Sequence, residues 1–382
     1  MSDASRDAYG IGSIGYVSPS GELCGKVNSE ITTEYGFDAP TGRVWYRKDT
    51  NGTAWTYVST YAFDDRDRLG AIGYPKGWGT PDRRTITYGY DDVAQLGRLS
   101  VVGNNGGVFA TGFQYDTSGR LTSYQTGVVT HTLAYDRQNR TTGIATAGLV
   151  DTPNLGLGYV YNDHRGNVTS LTDTRFTSAQ TFTYDNLNRL TDTTGGMLGT
   201  GTIGWTYDAT GNRLSETTNG TPTTYAYDAV TNRLTSTSGG NGETFAYDGF
   251  GRVTQDGQAT YTYRADGAIS GATRTGMTAS YIYDADGLRV RSNVNGYRQI
   301  SIHGLGGPVL SEFDAPTVND PLTWRRDLVY AGGRLIGSVK QGTPDYAEYY
   351  ASDALGSTRI AFNATGNVVG RSDFLPFGAA LS

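Results

Sequence analysis

Short segments of alternating polarity, separated by turn-forming residues, recur along most of the chain. Aromatic and β-branched residues occupy every second position in residues 181–184 (Thr-Phe-Thr-Tyr) and again in residues 261–263 (Tyr-Thr-Tyr). A period of two is typical of a strand with one buried face, whereas a helix repeats its apolar positions every three to four residues. Asp, Gly and Asn come after these segments and favour tight turns. The pattern therefore predicts hairpins made of a strand, a short turn and a return strand.

One hairpin unit repeats, consisting of an aromatic residue, Asp, a short turn, Arg and then Leu or Val. Two copies, beginning at Tyr207 and Tyr227, read as carrying one extra turn residue, and looser copies begin at Phe37, Phe63, Tyr90, Tyr135, Tyr161, Tyr263 and Tyr283. A period of this kind predicts an array of one supersecondary unit, in which neighbouring copies bury each other's apolar face. The clean copies contain Tyr115, Asp116, Gly119 and Arg120; Tyr184, Asp185, Asn188 and Arg189; and Tyr247, Asp248, Gly251 and Arg252.

The turn chemistry of the unit favours a structural role over a ladder of binding sites. Asp is a side-chain acceptor for backbone N–H groups in a type I turn, and the residue near the end of the turn must tolerate a left-handed backbone. We expect the tyrosine rings to stack on neighbouring repeats and Arg to pair with Asp across the turn. The predicted left-handed positions are Gly42, Asp67, Gly97, Gly119, Asn139, Gly166, Asn188, Asn212, Asn232, Gly251, Gly267 and Gly287.

Composition supports an all-β fold and excludes several functional classes. The sequence contains 28 Tyr and 54 Gly, and the helix-favouring charged residues Glu and Lys are rare. A formal charge of -6 gives no basic field for nucleic acid. Cys24 is the single cysteine, so no internal disulfide and no multi-cysteine metal site can form. No apolar run is long enough to span a membrane, and residues 1–10 do not have the pattern of a signal peptide.

Motifs for catalysis, cofactors or metals are not supported by their context. Residues 10–15 match a dinucleotide-binding glycine pattern, but Pro19 stands where a helix should run. Residues 284–287 resemble the start of a calcium loop, but Asn295 stands where the loop needs its bidentate Glu. His131, His164 and His303 are far apart in the sequence. We therefore expect a protein that is not an enzyme and has no cofactor, catalytic residue or metal site.

The repeat resembles that of the YD-repeat or Rhs proteins, a family that includes the C component of ABC toxin complexes, bacterial polymorphic toxins and the teneurins. Three C-terminal segments resemble the Rhs-associated core signature of this family. The resemblance implies a continuous antiparallel strand spiral that forms a curved wall or hollow β-shell around a C-terminal toxin. The signature residues are Tyr330, Gly333 and Arg334; Tyr350, Asp353, Gly356, Ser357, Thr358 and Arg359; and Pro376, Phe377 and Gly378.

This resemblance suggests a domain organisation and a function. We expect a repeat array over residues 1–290 with a degenerate start over 1–36, an irregular excursion over 291–329, and a truncated core-like segment over 330–382. The sequence stops soon after Gly378 without the family's Asp-Pro-x-Gly self-cleavage motif. Either an excised fragment or a naturally short member accounts for this. The implied function is encapsulation and delivery of a toxin cargo, with a delivery apparatus as partner, in a secreted or cell-surface protein.

A second hypothesis is an extracellular adhesion module that binds a glycan or a cell-surface ligand through exposed aromatic ladders. The full-length gene distinguishes the two hypotheses, since a container requires a continuing core and a cargo domain beyond residue 382. The strands at residues 349–377 would lack a covering element in a truncated shell, and exposed strand edges pair with other chains. We therefore expect either self-association through open sheet edges or protection of this end by local folding of residues 376–378.

Overall fold

The structure is a computed structural model of the 382-residue chain. It describes residues 4–6, 14–17, 23–27, 30–38, 40–52, 54–77, 84–90, 96–103, 107–150, 153–161, 164–239, 242–317, 319–342 and 345–381. The turn of the copy that begins at Tyr90 lies outside the described residues, as does part of the degenerate start predicted over residues 1–36. No helix in these ranges is long and apolar enough to cross a membrane.

In the described part of the chain, strands form almost all of the regular structure, and one short 3-10 helix, Gly196–Leu198, interrupts them. The first strands are β1 (Ala4–Arg6), β2 (Ile14–Val17), β3 (Leu23–Val27), β4 (Thr32–Phe37), β5 (Val44–Asn51), β6 (Trp55–Phe63), β7 (Leu69–Gly77), β8 (Arg84–Tyr90), β9 (Leu96–Gly103), β10 (Gly107–Tyr115), β11 (Leu121–Thr126) and β12 (Val129–Tyr135). The middle strands are β13 (Thr141–Ala147), β14 (Gly156–Val160), β15 (Ser170–Asp173), β16 (Gln180–Tyr184), β17 (Leu190–Gly195), β18 (Thr202–Tyr207), β19 (Arg213–Thr218), β20 (Thr221–Tyr227), β21 (Leu234–Ser238), β22 (Phe245–Tyr247), β23 (Val253–Asp256) and β24 (Ala259–Tyr263). The last strands are β25 (Ile269–Arg274), β26 (Met277–Tyr283), β27 (Arg289–Val294), β28 (Tyr297–His303), β29 (Val309–Ala315), β30 (Thr323–Ala331), β31 (Arg334–Lys340), β32 (Tyr346–Ser352), β33 (Thr358–Asn363), β34 (Val368–Arg371), β35 (Asp373–Phe374) and β36 (Ala380–Leu381).

Within each sheet the strands pair with their sequence neighbours in antiparallel order, so the predicted all-β class and the hairpin unit are confirmed. One sheet contains β1 to β21, a second contains β22 to β34, and β35 pairs with β36. The register shifts by one residue immediately before the aromatic residue of the repeat, as between Thr183 and Tyr184 in the β16–β17 pair. The same shift precedes Tyr135 and Tyr283. A type I turn followed by a left-handed residue produces such a bulge in a three-residue hairpin loop.

Residues 291–329 continue the second sheet through β27 to β30, although they lose the repeat spacing. The expected boundaries at 290 and 330 fall inside β27 and β30, so neither coincides with a break in the strand ladder. The polar segment between β29 and β30 leaves the sheet. Pro316 and Pro321 both lie in that segment, as expected for residues that cannot donate a backbone hydrogen bond.

The chain forms two compact units, each assembled from two separate stretches of sequence. Unit 1 contains residues 1–111 and 261–348, and unit 2 contains residues 112–260 and 349–382. In unit 1, Ile300, Ile302 and Phe313 form a buried cluster, and Tyr57 stacks on Phe313 with ring centroids 4.3 Å apart. The apolar faces predicted from alternating residues therefore meet across distant strands.

Unit 1 also buries arginine side chains among carboxylates. Arg47 is 3 % exposed, and its guanidinium bonds Asp49 at 3.0 Å and Asp284 at 2.9 Å. Arg84 is 1 % exposed and bonds Asp327 at 2.8 Å. Burial raises the pKa of Asp49, against the opposing effect of the Arg47 charge. Asp284, expected to be an ordinary repeat-turn residue, is thus also a partner in a buried ion pair.

In unit 2, an aromatic stack lies at the centre of the packing. The ring of Tyr124 lies parallel to that of His131 at 4.4 Å, and Phe362 lies 5.9 Å beyond the histidine. His131 is buried, and its Nε2 shares a 2.8 Å hydrogen bond with the Thr126 hydroxyl. This histidine therefore has a packing role in the unit.

Candidate functional site

The Asp of each regular repeat organises its own turn. Asp116 Oδ1 accepts the backbone N–H groups of Ser118 at 2.9 Å and Arg120 at 3.0 Å, and Oδ2 accepts Arg120 Nε at 2.6 Å. Gly119, with φ of 77°, takes the left-handed position. The backbone N–H of Arg120, followed by its guanidinium, holds the pKa of Asp116 below its ordinary value. Asp136, Asp185 and Asp248 form the same turn with their own arginines.

The arginine and the next tyrosine connect one repeat to the following one. The Tyr135 hydroxyl donates to the Leu121 carbonyl at 2.9 Å, and the Arg120 guanidinium carbon lies 4.8 Å from the Tyr135 ring centroid. Arg120 Nη1 also donates to the Asp136 carbonyl at 3.0 Å. Tyr161, Tyr184, Tyr207 and Tyr247 donate in the same way to the carbonyls of Thr141, Val168, Leu190 and Leu234.

We expected the tyrosine rings to stack on neighbouring repeats, and in the structure an arginine of the preceding repeat lies over the rings of Tyr135, Tyr161 and Tyr207. Equivalent tyrosines are two strands apart, about 9.6 Å, whereas aromatic rings interact at about 4.5–7 Å. The long arginine side chain spans this gap and lies over the ring instead, as Arg189 does over Tyr207 at 4.8 Å. The predicted Asp–Arg pair and this cation–π contact therefore share one guanidinium.

The copy that begins at Tyr207 departs from its prediction. Gly211, with φ of 98°, takes the left-handed position that was assigned to Asn212. Asn212 Nδ2 bonds Asp208 Oδ2 at 2.8 Å and so replaces the usual arginine, while Arg213 opens the return strand opposite Tyr207. This turn has no extra residue. Its sequence spacing misled the prediction because Arg213 is displaced along the chain by one position.

The remaining left-handed assignments agree with the backbone wherever the turn is described. Gly97 lies in β9, beside residues outside the described ranges. The turn at Tyr227 does carry the extra residue, since its Asp228 N–H donates to the Arg233 carbonyl across one more position. Positive φ values are found at Gly42, Asp67, Gly119, Asn139, Gly166, Asn188, Asn232, Gly251, Gly267 and Gly287.

The signature segment at residues 353–359 uses the repeat turn but relocates its arginine. Asp353 Oδ1 accepts the backbone N–H groups of Leu355 and Ser357, each at 3.0 Å, and Gly356 is left-handed with φ of 89°. Ser357 occupies the place of the regular arginine. Arg359, two residues later, is the first arginine of the segment and is only 4 % exposed. The backbone of this turn is therefore the same as in the regular repeats, whereas its arginine lies two positions further along the chain and is buried.

Arg359 joins carboxylates from three parts of unit 2. Its Nη2 lies 2.5 Å from Asp373 and 3.6 Å from Asp173, and its Nη1 lies 3.7 Å from Asp353. Its Nε donates to the Ser372 carbonyl at 3.0 Å. Arg175 completes the group, bonding Asp173 at 2.5 Å and Asp373 at 2.7 Å. We call these five charged residues, Asp173, Arg175, Asp353, Arg359 and Asp373, the Arg359 cluster.

At Asp373 and at Arg175, interactions with opposite charges outweigh desolvation in their effect on the pKa. Burial favours protonation of Asp373, but hydrogen bonds from Arg359 and Arg175 hold its pKa below the ordinary value. Burial acts against the charge of Arg175, and bonds to Asp173 raise its pKa nonetheless. Sequence reasoning found Arg359 and Asp353 through the signature but missed Asp173, Arg175 and Asp373. These residues lie outside the repeat pattern, and their partners are distant in sequence.

The other signature residues have local roles. Tyr330 donates to the Val309 carbonyl at 3.0 Å, and Gly333 forms a two-residue turn that pairs Ala331 with Arg334. These residues belong to unit 1, whereas the segments that begin at Tyr350 and Pro376 belong to unit 2. Tyr350 is buried and Thr358 opens β33. The signature residues are therefore divided between the two units.

The Pro376-Phe377-Gly378 segment folds as a turn between β35 and β36. The Gly378 N–H donates to the Leu375 carbonyl at 2.8 Å, and Gly378 is left-handed with φ of 86°. The Phe377 ring meets Trp205 edge-on with centroids 5.2 Å apart, and Arg213 lies over it at 5.5 Å. Local folding thus attaches this end to the repeat array of unit 2.

A cavity of about 510 Å³ lies between the repeat strands and the signature turn of unit 2. Tyr159, Phe182 and Tyr184 line one side, and Leu375 and Pro376 line another. Asp353 and Arg359 contribute charge to the wall, but each is engaged in the Arg359 cluster. Within the described residues, no group of three or more His, Cys, Asp or Glu side chains could hold a metal ion.

Comparisons with known proteins agree with this architecture. A chain of the Tc holotoxin pore of Photorhabdus luminescens, with a mutated TccC3, superimposes with a TM-score of 0.75 at 15% identity, over 97% of this chain and 21% of that one. The TcdB2-TccC3 structure gives 0.72 at 16% identity, over 97% and 22%. The TcdB2-TccC3-Cdc42 structure gives 0.67 at 15% identity, over 97% and 22%. These likenesses show a shared fold, and this chain spans about a fifth of the length of those chains.

No curated protein matches the chain in sequence. The sequence pattern described as the teneurin YD-shell matches residues 160–382, which is more than half of the chain. That span includes the regular turns at Asp185 and Asp248, all five residues of the Arg359 cluster, and the final turn at Gly378. The protein therefore belongs to the teneurin YD-shell family.

Proposed function

We propose that this chain is part of the wall of a container that sequesters a toxin domain and assists its delivery, and that it performs no catalysis itself. One observation carries the proposal: the side chains that define the repeat are used to join repeats. Asp116 bonds its own turn, Arg120 bonds Asp116 and contacts Tyr135, and Tyr135 donates to the preceding hairpin. Side chains used in this way hold neighbouring hairpins together in a continuous sheet, which is what the wall of a container requires.

The similar structures support the same function. They include a Tc holotoxin and TcdB2-TccC3 assemblies, and the superposition covers almost the whole of this chain. Because the chain spans about a fifth of theirs, the cargo, the delivery apparatus and a secreted or cell-surface location are proposals for the protein that contains this wall. A shell requires large, self-supporting sheets, and antiparallel strands in sequence order supply them.

The adhesion alternative receives less support from the repeats. A glycan would need accessible ring faces, but the hydroxyls of the repeat tyrosines are bonded to backbone and arginines lie over their rings, as at Tyr161. Trp45, which is 49% exposed, is an aromatic residue that remains accessible in unit 1. A glycan-binding role would therefore depend on isolated aromatic residues such as this one and not on the ladder.

Protease protection of the natural cargo tests the container. The full-length natural protein is compared with its post-382 segment expressed alone, and cleavage of that segment is monitored over time. We expect the segment to be cleaved at least about tenfold more slowly inside the intact protein, because proteolysis then requires opening of the wall. Arg359→Ala, which removes a buried ion pair, should restore fast cleavage. A coding sequence that ends at residue 382, or equal cleavage rates, would contradict the proposal.

A further inference from the structure

Three repeat turns of unit 2 expose large apolar side chains at the position that Leu355, 93% exposed, occupies in the signature turn. The residue two places after the turn Asp is Leu187, Val230 or Phe250, with exposed fractions of 66%, 92% and 87%. The equivalent residue is polar in other regular turns, where it is Ser118 or Gln138. The turn geometry thus exposes the side chain at this position in every repeat whose turn is described, and the turn also forms when that side chain is polar. Apolar residues here are not needed for the fold.

These turns are neighbours, so the apolar residues form one row. Arg189 Nη1 donates to the Asp208 carbonyl at 2.7 Å, which joins the turn of Leu187 to the turn that carries Thr210. Asn212 bonds Asn232 at 2.7 Å, which joins that turn to the turn of Val230. Arg233, at the end of the turn of Val230, lies so close to Gly251 that a Cβ added there would be 2.9 Å from its guanidinium. The turn of Phe250, which contains Gly251, is therefore the next neighbour. We call Leu187, Thr210, Val230 and Phe250 the apolar turn ridge.

The apolar turn ridge is electrically neutral in an acidic protein. Each of its four turns contributes one Asp and one Arg to the sequence, whereas the whole chain has a formal charge of -6. Asp185 and Asp248 bond their own arginines, each at 2.6 Å. A neutral apolar surface does not select a nucleic acid or an anionic membrane. The same neutral surface on a second copy of the chain would meet no electrostatic repulsion from it.

We propose that the apolar turn ridge is a self-association surface whose partner is a second copy of this chain. Turns on one edge of an antiparallel sheet recur every two strands, about 9.6 Å. Two copies have the same period, so their ridges can interdigitate about a two-fold axis. In the antiparallel arrangement Phe250 packs against the partner's Leu187, and Val230 packs beside the partner's Thr210.

The exposed area predicts a weak dimer. Three side chains of this size present on the order of 400 Å² in each copy, so the contact buries roughly 800 Å² in total. Stable dimers bury about 1,200–2,000 Å², whereas exposed patches of about 300–600 Å² on monomers are often functional. Association through this ridge is therefore reversible and concentration-dependent.

Sedimentation velocity on the full 382-residue chain, from about 1 to about 200 µM, tests the proposal. We expect a dimer to appear as concentration rises. The triple variant Leu187→Ser, Val230→Thr, Phe250→Ser should raise the dimer dissociation constant at least about tenfold, because apolar anchors dominate such contacts. Since equivalent turns already carry polar residues, its thermal unfolding should match that of the wild type.

Val150→Thr provides the matched control, because Val150 is 61% exposed and lies outside the ridge. This variant should associate like the wild type. A wild-type chain that stays monomeric across the range overturns the proposal, including the case in which the ridge binds a different protein. A dimer that the triple variant leaves unchanged also overturns it, and would favour pairing through open strand edges.

Discussion

The turn at Asp116 and the turn at Asp353 have the same backbone but place their arginines in different surroundings. In the first, Arg120 bonds the turn Asp at 2.6 Å with about a quarter of each side chain exposed. In the second, Ser357 takes that place, and Arg359 is 4 % exposed among three carboxylates. Solvent screens the first ion pair. In the second, Arg359 and Asp173 are almost fully buried, while Asp373 is 22% exposed. The same turn backbone can thus serve either as a unit repeated along the sheet or as a site whose arginine binds segments that are distant in sequence.

The largest expected effect comes from removing the buried cation. Arg359→Ala leaves Asp373 and Asp173 with fewer partners in a desolvated site, and we expect the free energy of unfolding to fall by about 3 kcal/mol. Urea denaturation monitored by tryptophan fluorescence measures the change. Arg120→Ala is the matched control and should shift the unfolding midpoint far less. Equal shifts for the two variants would remove the distinction between these turns.

A smaller effect is expected at the left-handed turn position. A Cβ at Gly119 meets no atom within 4 Å, so Gly119→Ala tests the backbone alone. With φ of 77°, alanine should reduce the free energy of unfolding by about 1–2 kcal/mol. Gly119→Asn should cost less, because Asn139 and Asn188 occupy the same place in other repeats. Thermal unfolding of both variants checks this order, and an alanine without effect would contradict it.

The contact between repeats should contribute less still. Tyr135→Phe removes the hydrogen bond to the Leu121 carbonyl but keeps the ring under Arg120. We expect a loss of about 1 kcal/mol, the usual net value of one intramolecular hydrogen bond. Amide hydrogen exchange should increase mainly in β11 and β12 if repeats interact with their nearest neighbours. An increase spread evenly over unit 2 would show that the contact is not local.

The smallest effect per residue is the response of the regular turns to acid. Partial desolvation raises the pKa of Asp208, but bonds from Thr210 and Asn212 outweigh it and lower the pKa to about 2 from 3.8. A lowered folded pKa means that the stabilisation is present above about pH 4 and is lost as pH falls toward 2. Unfolding midpoints should therefore decline through this window. Asp208→Asn should flatten the decline slightly, and an unchanged slope would contradict the assignment.

Local turn chemistry explains which parts of the structure could be predicted from the sequence. The hairpin unit and the left-handed positions such as Gly119 and Asn188 depend on residues within seven positions of each other, and these patterns are visible in sequence. The left-handed position was wrongly assigned to Asn212 because Asn212 takes the place of the turn arginine, and the arginine that marks the end of the unit comes one position later. Asp173, Arg175 and Asp373 have no period, and their contacts with Arg359 depend on how strands far apart in sequence pack.

The central claim is that Arg359 acts through a buried network while the regular arginines act through local, solvent-screened pairs. A double-mutant cycle on Arg359 and Asp373, compared with the cycle on Arg120 and Asp116, measures this difference directly. We predict a coupling free energy of about 2 kcal/mol for Arg359 with Asp373. For the regular turn we predict a coupling close to the error of the measurement. Equal couplings in the two cycles, or a larger one in the regular turn, would contradict the claim.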